Sequence, residues 1–181
     1  LNRHAATLRM RGRPKVMLAR SYEEAMAIYN RYSDNVLGVI SDARFPMAGA
    51  KDTDAGIKLF RAIRQHDEYV PLIMESSESE NRAKAEGFRF VDKNSKKMSL
   101  DLRRLMESHM GFGDFIFRDP ATHEPILRIH SLKELQDNIF KIPNDSMLYH
   151  ISRNHMSRWL SARAIFPVSA FLKGVTWNQL Q

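Results

Sequence analysis

From residue 15 to residue 108, apolar runs of four or five residues alternate with amphipathic stretches. Few architectures tolerate that alternation. Parallel strands need crossovers of about a dozen residues, usually helices, and those helices bury both faces of the sheet. The segment therefore reads as an α/β unit, a parallel sheet covered by helices. Residues 15–19 (KVMLA) are expected as a short strand. Ser21, with Glu24 three residues on, forms a capping box that opens a helix carrying Ala25, Ile28 and Tyr29 on one face. Residues 37–41 (LGVIS) read as a strand buried on both faces, ending at Asp42. Ile57, Leu59, Phe60 and Ile63 mark the next helix, and residues 70–74 the next strand, with Ser76 and Ser77 directly after it. A short polar helix runs to Gly87, residues 88–92 form a strand ending at Lys93, and Leu100, Leu102, Leu105 and Met106 mark the closing helix.

Beyond Gly111 the pattern changes, so residues 1–110 and 111–181 are expected as separate domains, the second a small α+β one. It should hold a strand to Phe117, a strand at 126–129, and a helix at 132–140 capped by Ser131 with Glu134 three residues on. A helical stretch follows at 147–163, with Pro167 interrupting or ending it. Phe112, Phe115, Phe117, Trp159 and Phe166 are its expected core. His150 and His155, five residues apart on that helix, fall on different sides, so no shared metal is expected.

Composition narrows the chemistry. The 181 residues include no cysteine, which excludes disulfide scaffolds, thiolate metal sites and cysteine nucleophiles. No apolar run approaches the roughly 18 residues needed to cross a bilayer, and no signal-peptide core follows the basic start, so a cytoplasmic protein without a membrane partner is expected. The net charge of +7 is spread along the chain except at Arg3, Arg9, Arg11, Arg13 and Lys15, which read as a solvated helix end rather than a nucleic-acid contact. No glycine-rich phosphate loop occurs, so nucleotide binding is not expected.

In an open α/β sheet, functional groups gather at the carboxyl ends of the strands. Asp42, Ser76 and Lys93 each follow an apolar run, giving a carboxylate, a hydroxyl and a cation. An acyl phosphate needs this set: the carboxylate is the nucleophile, and the other two pair with phosphoryl oxygens.

Residues 39–46 (VISDARFP) resemble the phosphoacceptor strand of response-regulator receiver domains, with the acid at Asp42 and the loop proline at Pro46. Residues 71–76 (PLIMES) are similar to the strand that ends in that family's switch hydroxyl, which places the role on Ser76. Residues 90–93 (FVDK) resemble the strand in which an aromatic switch residue, here Phe90, precedes the lysine, here Lys93, by three positions. The resemblance implies a flavodoxin-like sheet and a phosphodonor partner such as a histidine kinase. Four departures accompany it. Asn94 stands where the family usually has proline, and Ser77 holds the small-residue position after the switch. The loop between Asp42 and Gly56, with Lys51, Asp52 and Asp54, is longer than usual. Residues 15–19 match strand 2 of the order 2-1-3-4-5, and residues 1–12 read as the tail of helix 1, so strand 1 is missing. Its neighbours would stand roughly 9.6 Å apart with unpaired backbone between them. The expectation is that the sequence is a piece of a longer chain or that another segment fills the slot. The family's acidic pair for Mg²⁺ belongs to that strand, so Asp42 is expected to help hold Mg²⁺ only where the pair is supplied.

A narrower likeness rests on residues 9–14 (RMRGRP), 75–77 (ESS), 112–118 (FGDFIFR) and 149–160 (YHISRNHMSRWL). Their order resembles the N-terminal regulatory part of bacterial proteins related to phosphoenolpyruvate synthase and pyruvate phosphate dikinase. It implies an effector further along the chain and no catalytic residue of the synthase here. Three functions follow: a phosphoacceptor module that controls the effector, a pseudo-receiver that serves as an interaction or homodimerisation module, or a small domain that contributes to an ATP-dependent phosphotransferase site further along the chain.

Overall fold

The computed structural model describes residues 14–78, 80–85 and 87–175. The chain divides into two compact units, Lys15–Leu105 and one that takes the residues from Met106 onward, the division falling within the helix Met98–His109. Residues 1–12, expected as a helix tail, lie outside the described residues.

The first unit starts with helix α1 (Tyr22–Tyr32). Ser21 caps it: the extended Ser21 accepts the Glu24 N–H at 3.2 Å, and the Glu24 carboxylate accepts the Arg20 N–H at 2.7 Å. Strand β1 (Val39–Asp42) follows, then β2 (Phe45–Met47), β3 (Ala50–Asp52) and helix α2 (Ala55–His66). Next come β4 (Leu72–Ser76), the short helix α3 (Glu80–Lys84), β5 (Arg89–Asp92) and α4 (Met98–His109). β1, β4 and β5 form a parallel sheet in the order β1-β4-β5, with Asp42 level with Glu75 and Ser76 level with Asp92. Leu72, Ile73 and Met74 of the middle strand are all fully buried, as an apolar run without alternation requires. Leu59, Phe60 and Ile63 of α2 join Tyr29, Leu72 and Met74 in one core. The fold class is thus α/β with a three-stranded parallel sheet.

Two expectations change here. Residues 15–19 form no strand, and Val16 and Leu18 are 85% and 79% exposed. Apolar composition makes a strand only where a partner completes the ladder, and among the described residues none pairs with this segment. β1 is not buried on both faces either: Ile40 is 41% exposed, because β1 is the edge strand among the described residues. The long loop after Asp42 is itself structured, since β2 and β3 pair as an antiparallel hairpin. Ala48 and Gly49 turn it with φ of +52° and +78°, the left-handed backbone that a two-residue hairpin turn demands.

In the second unit, β6 (Phe115–Arg118) pairs antiparallel with β7 (Pro125–Ile129). Helix α5 (Leu132–Asn138) begins at the Ser131 cap, where Ser131 Oγ accepts the Glu134 N–H at 3.2 Å and the Glu134 carboxylate accepts the His130 N–H at 2.8 Å. Helices α6 (Asn144–Ser152), α7 (His155–Ser161) and α8 (Phe166–Gly174) complete it. The expected helix over 147–163 is two helices, broken where Asn154 takes a φ of +58°. Pro167 starts a helix instead of ending one, since the first turn has no use for the N–H that proline lacks. Phe115, Phe117 and Trp159 are core with Ile129 and Leu160, but Phe166 is 51% exposed. No helix among the described residues is long and apolar enough to cross a membrane.

Candidate functional site

At the carboxyl ends of β1, β4 and β5 an open cleft of about 180 Å³ is lined by Asp42, Ala43, Arg44, Glu75, Ser76, Ser77, Glu78, Asn81 and Lys93. Parallel strands deliver their last residues to the same edge, so the acid of β1, the hydroxyl of β4 and the cation after β5 converge there. Lys93 Nζ forms an ion pair with Asp42 Oδ1. Its backbone position is set by the Lys93 N–H donating to Ser76 O at 2.9 Å.

Asn94, the departure from proline, ties the same loop down. Its N–H donates to Asp92 Oδ1 at 2.8 Å and its side-chain Nδ2 to Ser77 O at 2.6 Å. The β1 end is held as firmly. Ala43 N–H donates to Glu75 O at 3.2 Å, and Gly56 N–H at the start of α2 donates to Ala43 O at 3.0 Å.

Asp42, Ser76 and Lys93 therefore share one cleft. Phe90 does not line it: this partly buried ring packs against the first unit's core, with the Arg82 guanidinium 4.9 Å from its centroid. Pro46 lies in the hairpin strand β2. Asp52 and Asp54 are turned to Lys58 and Lys84, at 2.6 and 2.8 Å, and stand outside the cleft lining.

Four lining residues carry polar groups that the sequence did not single out. Arg44 pairs with Glu78 at 2.5 Å across the cleft. Asn81 Nδ2 donates to Ser76 Oγ at 2.9 Å. Burial pushes the Glu75 carboxyl up, with Lys93 opposing and the charge of Asp42 adding to the rise. The register that sets Glu75 beside Asp42 was the missing information, since an acid one residue before a strand's end looks like any solvated side chain.

The donor set bears on Mg²⁺. Asp42 Oδ1 already faces the Lys93 ammonium, and among the described residues no group of three or more His, Asp or Glu could hold a metal. These residues by themselves do not fit a Mg²⁺ centre.

A second polar cluster lies in the other unit, against expectation. His150 and His155 meet, Nδ1 to Nδ1, at 3.0 Å, because the break at Asn154 turns α7 out of the line of α6. His150 Nε2 accepts the Arg118 N–H at 3.0 Å, so the neutral ring carries its proton on Nδ1 and donates it to His155. A metal at the paired nitrogens would need that proton moved to Nε2, where a donor already points. The contact is a hydrogen bond within a core, not a ligand pair.

The described residues define an α/β protein with an acid, hydroxyl and ammonium group at one edge of a parallel sheet. No known family model, curated protein or solved structure matches the chain.

Proposed function

We propose that the first unit is a receiver-type phosphoacceptor module in which Asp42 takes a phosphoryl group from a histidine kinase or another phosphodonor. The observation that carries this reading is the shared cleft: Lys93 pairs with Asp42, and Ser76 lines the same space. A strand order β1-β4-β5 is also what the last three strands of a 2-1-3-4-5 sheet would have.

The chemistry is a single exchange. A carboxylate oxygen of Asp42 attacks phosphorus, the P–N bond of the donor phosphohistidine breaks, and the imidazole regains a proton from water. The product is an acyl phosphate on Asp42. Lys93 leaves the carboxylate for a phosphoryl oxygen, keeping the new charge paired, and the Ser76 hydroxyl donates to another. Where an acidic pair from elsewhere in a longer chain completed the donor set, Asp42 would help hold Mg²⁺, which would neutralise phosphoryl charge. Phe90, on β5, is the ring whose packing would report the change to the surface. On the likeness of residues 112–118 and 149–160, the module controls a phosphoenolpyruvate synthase-like effector carried further along the chain.

Incubation with radiolabelled acetyl phosphate tests this. Label is expected on the full-length protein and lost in its Asp42→Asn variant, with circular dichroism unchanged. Label retained in Asp42→Asn removes the assignment of Asp42. A full-length protein that takes no label is a pseudo-receiver, whose sheet serves interaction alone.

A further inference from the structure

Ser76 Oγ accepts two N–H donors, the Glu78 backbone at 3.1 Å and Asn81 Nδ2 at 2.9 Å. A hydroxyl oxygen has two lone pairs and one hydrogen. With both lone pairs engaged, Ser76 can only donate. Asn81 is 3% exposed in α3, so this amide is a buried polar group whose partners matter. Its orientation is fixed by its second partner: Nδ2 also lies 3.3 Å from Glu78 Oε2, and an ionised carboxylate only accepts. Turning the amide over would set its oxygen against that carboxylate. Glu78 is held in turn by Arg44 at 2.5 Å.

We infer that Asn81 is a positioning residue for the cleft: by filling the Ser76 lone pairs it makes that hydroxyl an obligate donor, suited to an anionic phosphoryl group on Asp42. The inference rests on the receiver reading above and adds a residue to it. Asn81 touches no reacting atom. Its effect on the cleft chemistry passes through the Ser76 hydroxyl, and that is what separates it from a residue that only supports the fold. A cation in the cleft would gain nothing from a hydroxyl fixed in this sense.

The test is a double-mutant cycle on the full chain with beryllofluoride, an anionic phosphoryl mimic, titrated in the presence of Mg²⁺ and read by ¹⁹F NMR. Ser76→Ala should weaken binding about tenfold, the usual scale for one charge-assisted hydrogen bond. Asn81→Ala should cost about the same, and the double variant no more than either single one. Ser76→Thr, which keeps the hydroxyl, should retain the affinity. Equal losses from Asn81→Ala with and without the Ser76 hydroxyl would show a general structural role and overturn the inference. So would tighter binding by Asn81→Ala, which would mean that the amide holds the hydroxyl back. Those outcomes leave the receiver reading standing. A wild-type chain that binds no beryllofluoride and takes no label from acetyl phosphate defeats both.

Discussion

Gly56 sets how closely α2 approaches the phosphoacceptor candidate. A Cβ built there would stand 2.3 Å from the Asp42 carbonyl oxygen and 3.0 Å from Ala43 Cα. Both are backbone atoms, which cannot swing aside as a side chain would. The Gly56 N–H, meanwhile, donates to Ala43 O at 3.0 Å. Gly56→Ala must therefore push the start of α2 off the end of β1. We expect a loss of about 2 kcal/mol in a urea titration, in the range of overpacked sites, together with loss of acetyl-phosphate labelling. Unchanged stability would mean that the helix start yields freely. Residues such as Gly56 and Asn81 mark where sequence reading stops. Asp42, Ser76 and Lys93 were legible because each ends an apolar run, and strand ends share an edge. Nothing comparable identifies Asn81, which lies in a polar stretch and looks like a solvated helix residue until its burial against Ser76 is seen.

At the scale of elements, caps and middle strands were readable and turns were not. Ser21 and Ser131 cap the expected helices because the motif acts locally, within four residues. The hairpin β2–β3 went unread since its turn is Ala48-Gly49, without the Asn-Gly or Asp-Gly signal. Ala48 holds a φ of +52° without a side chain that favours it, and its N–H donates to Glu23 Oε1 at 2.8 Å. That bond lowers the Glu23 carboxyl from its ordinary value, backbone donation from Ala48 being the largest cause. Ala48→Asn keeps the N–H and suits the left-handed backbone. It should stabilise the chain by on the order of 1 kcal/mol, seen as a raised thermal midpoint. An unchanged or lower midpoint would show that the turn carries no such strain. The break at Asn154 is the converse case: asparagine tolerates a φ of +58°, yet the surrounding helical pattern hid it. Reading through it put His150 and His155 on different sides, whereas five positions across a break bring them together.

For the whole molecule, that pair sets the response to acid. Burial pushes His150 down to about 4, with the charges of Arg118 and Arg153 adding to the effect. Burial pushes His155 down to about 3, with His150, Arg158, Arg153 and His109 also opposing its protonation. The charged groups that act on the two rings are all cations or the other imidazole, and each opposes protonation. Both rings are thus held neutral in the fold, and each would take a proton more readily once unfolded, near the ordinary 6.5. In that window the unfolded chain binds more protons, so stability rises with pH. The pair's contribution is full above about 6.5 and is lost progressively as pH falls toward 4, with His150 alone accounting for on the order of 3 kcal/mol. Protonation of His150 removes the acceptor from the Arg118 N–H, and protonation of His155 sets two N–H donors face to face. Because His150 packs edge-on against Phe115 and Phe117, the core of the second unit should loosen with it. Urea titrations followed by tryptophan fluorescence at pH 7, 5.5 and 4 are expected to show a falling midpoint. The drop should shrink in His150→Gln, whose amide does not titrate. A midpoint that stays level across this range, or the same drop in both proteins, would show that the histidine pair does not govern the acid response.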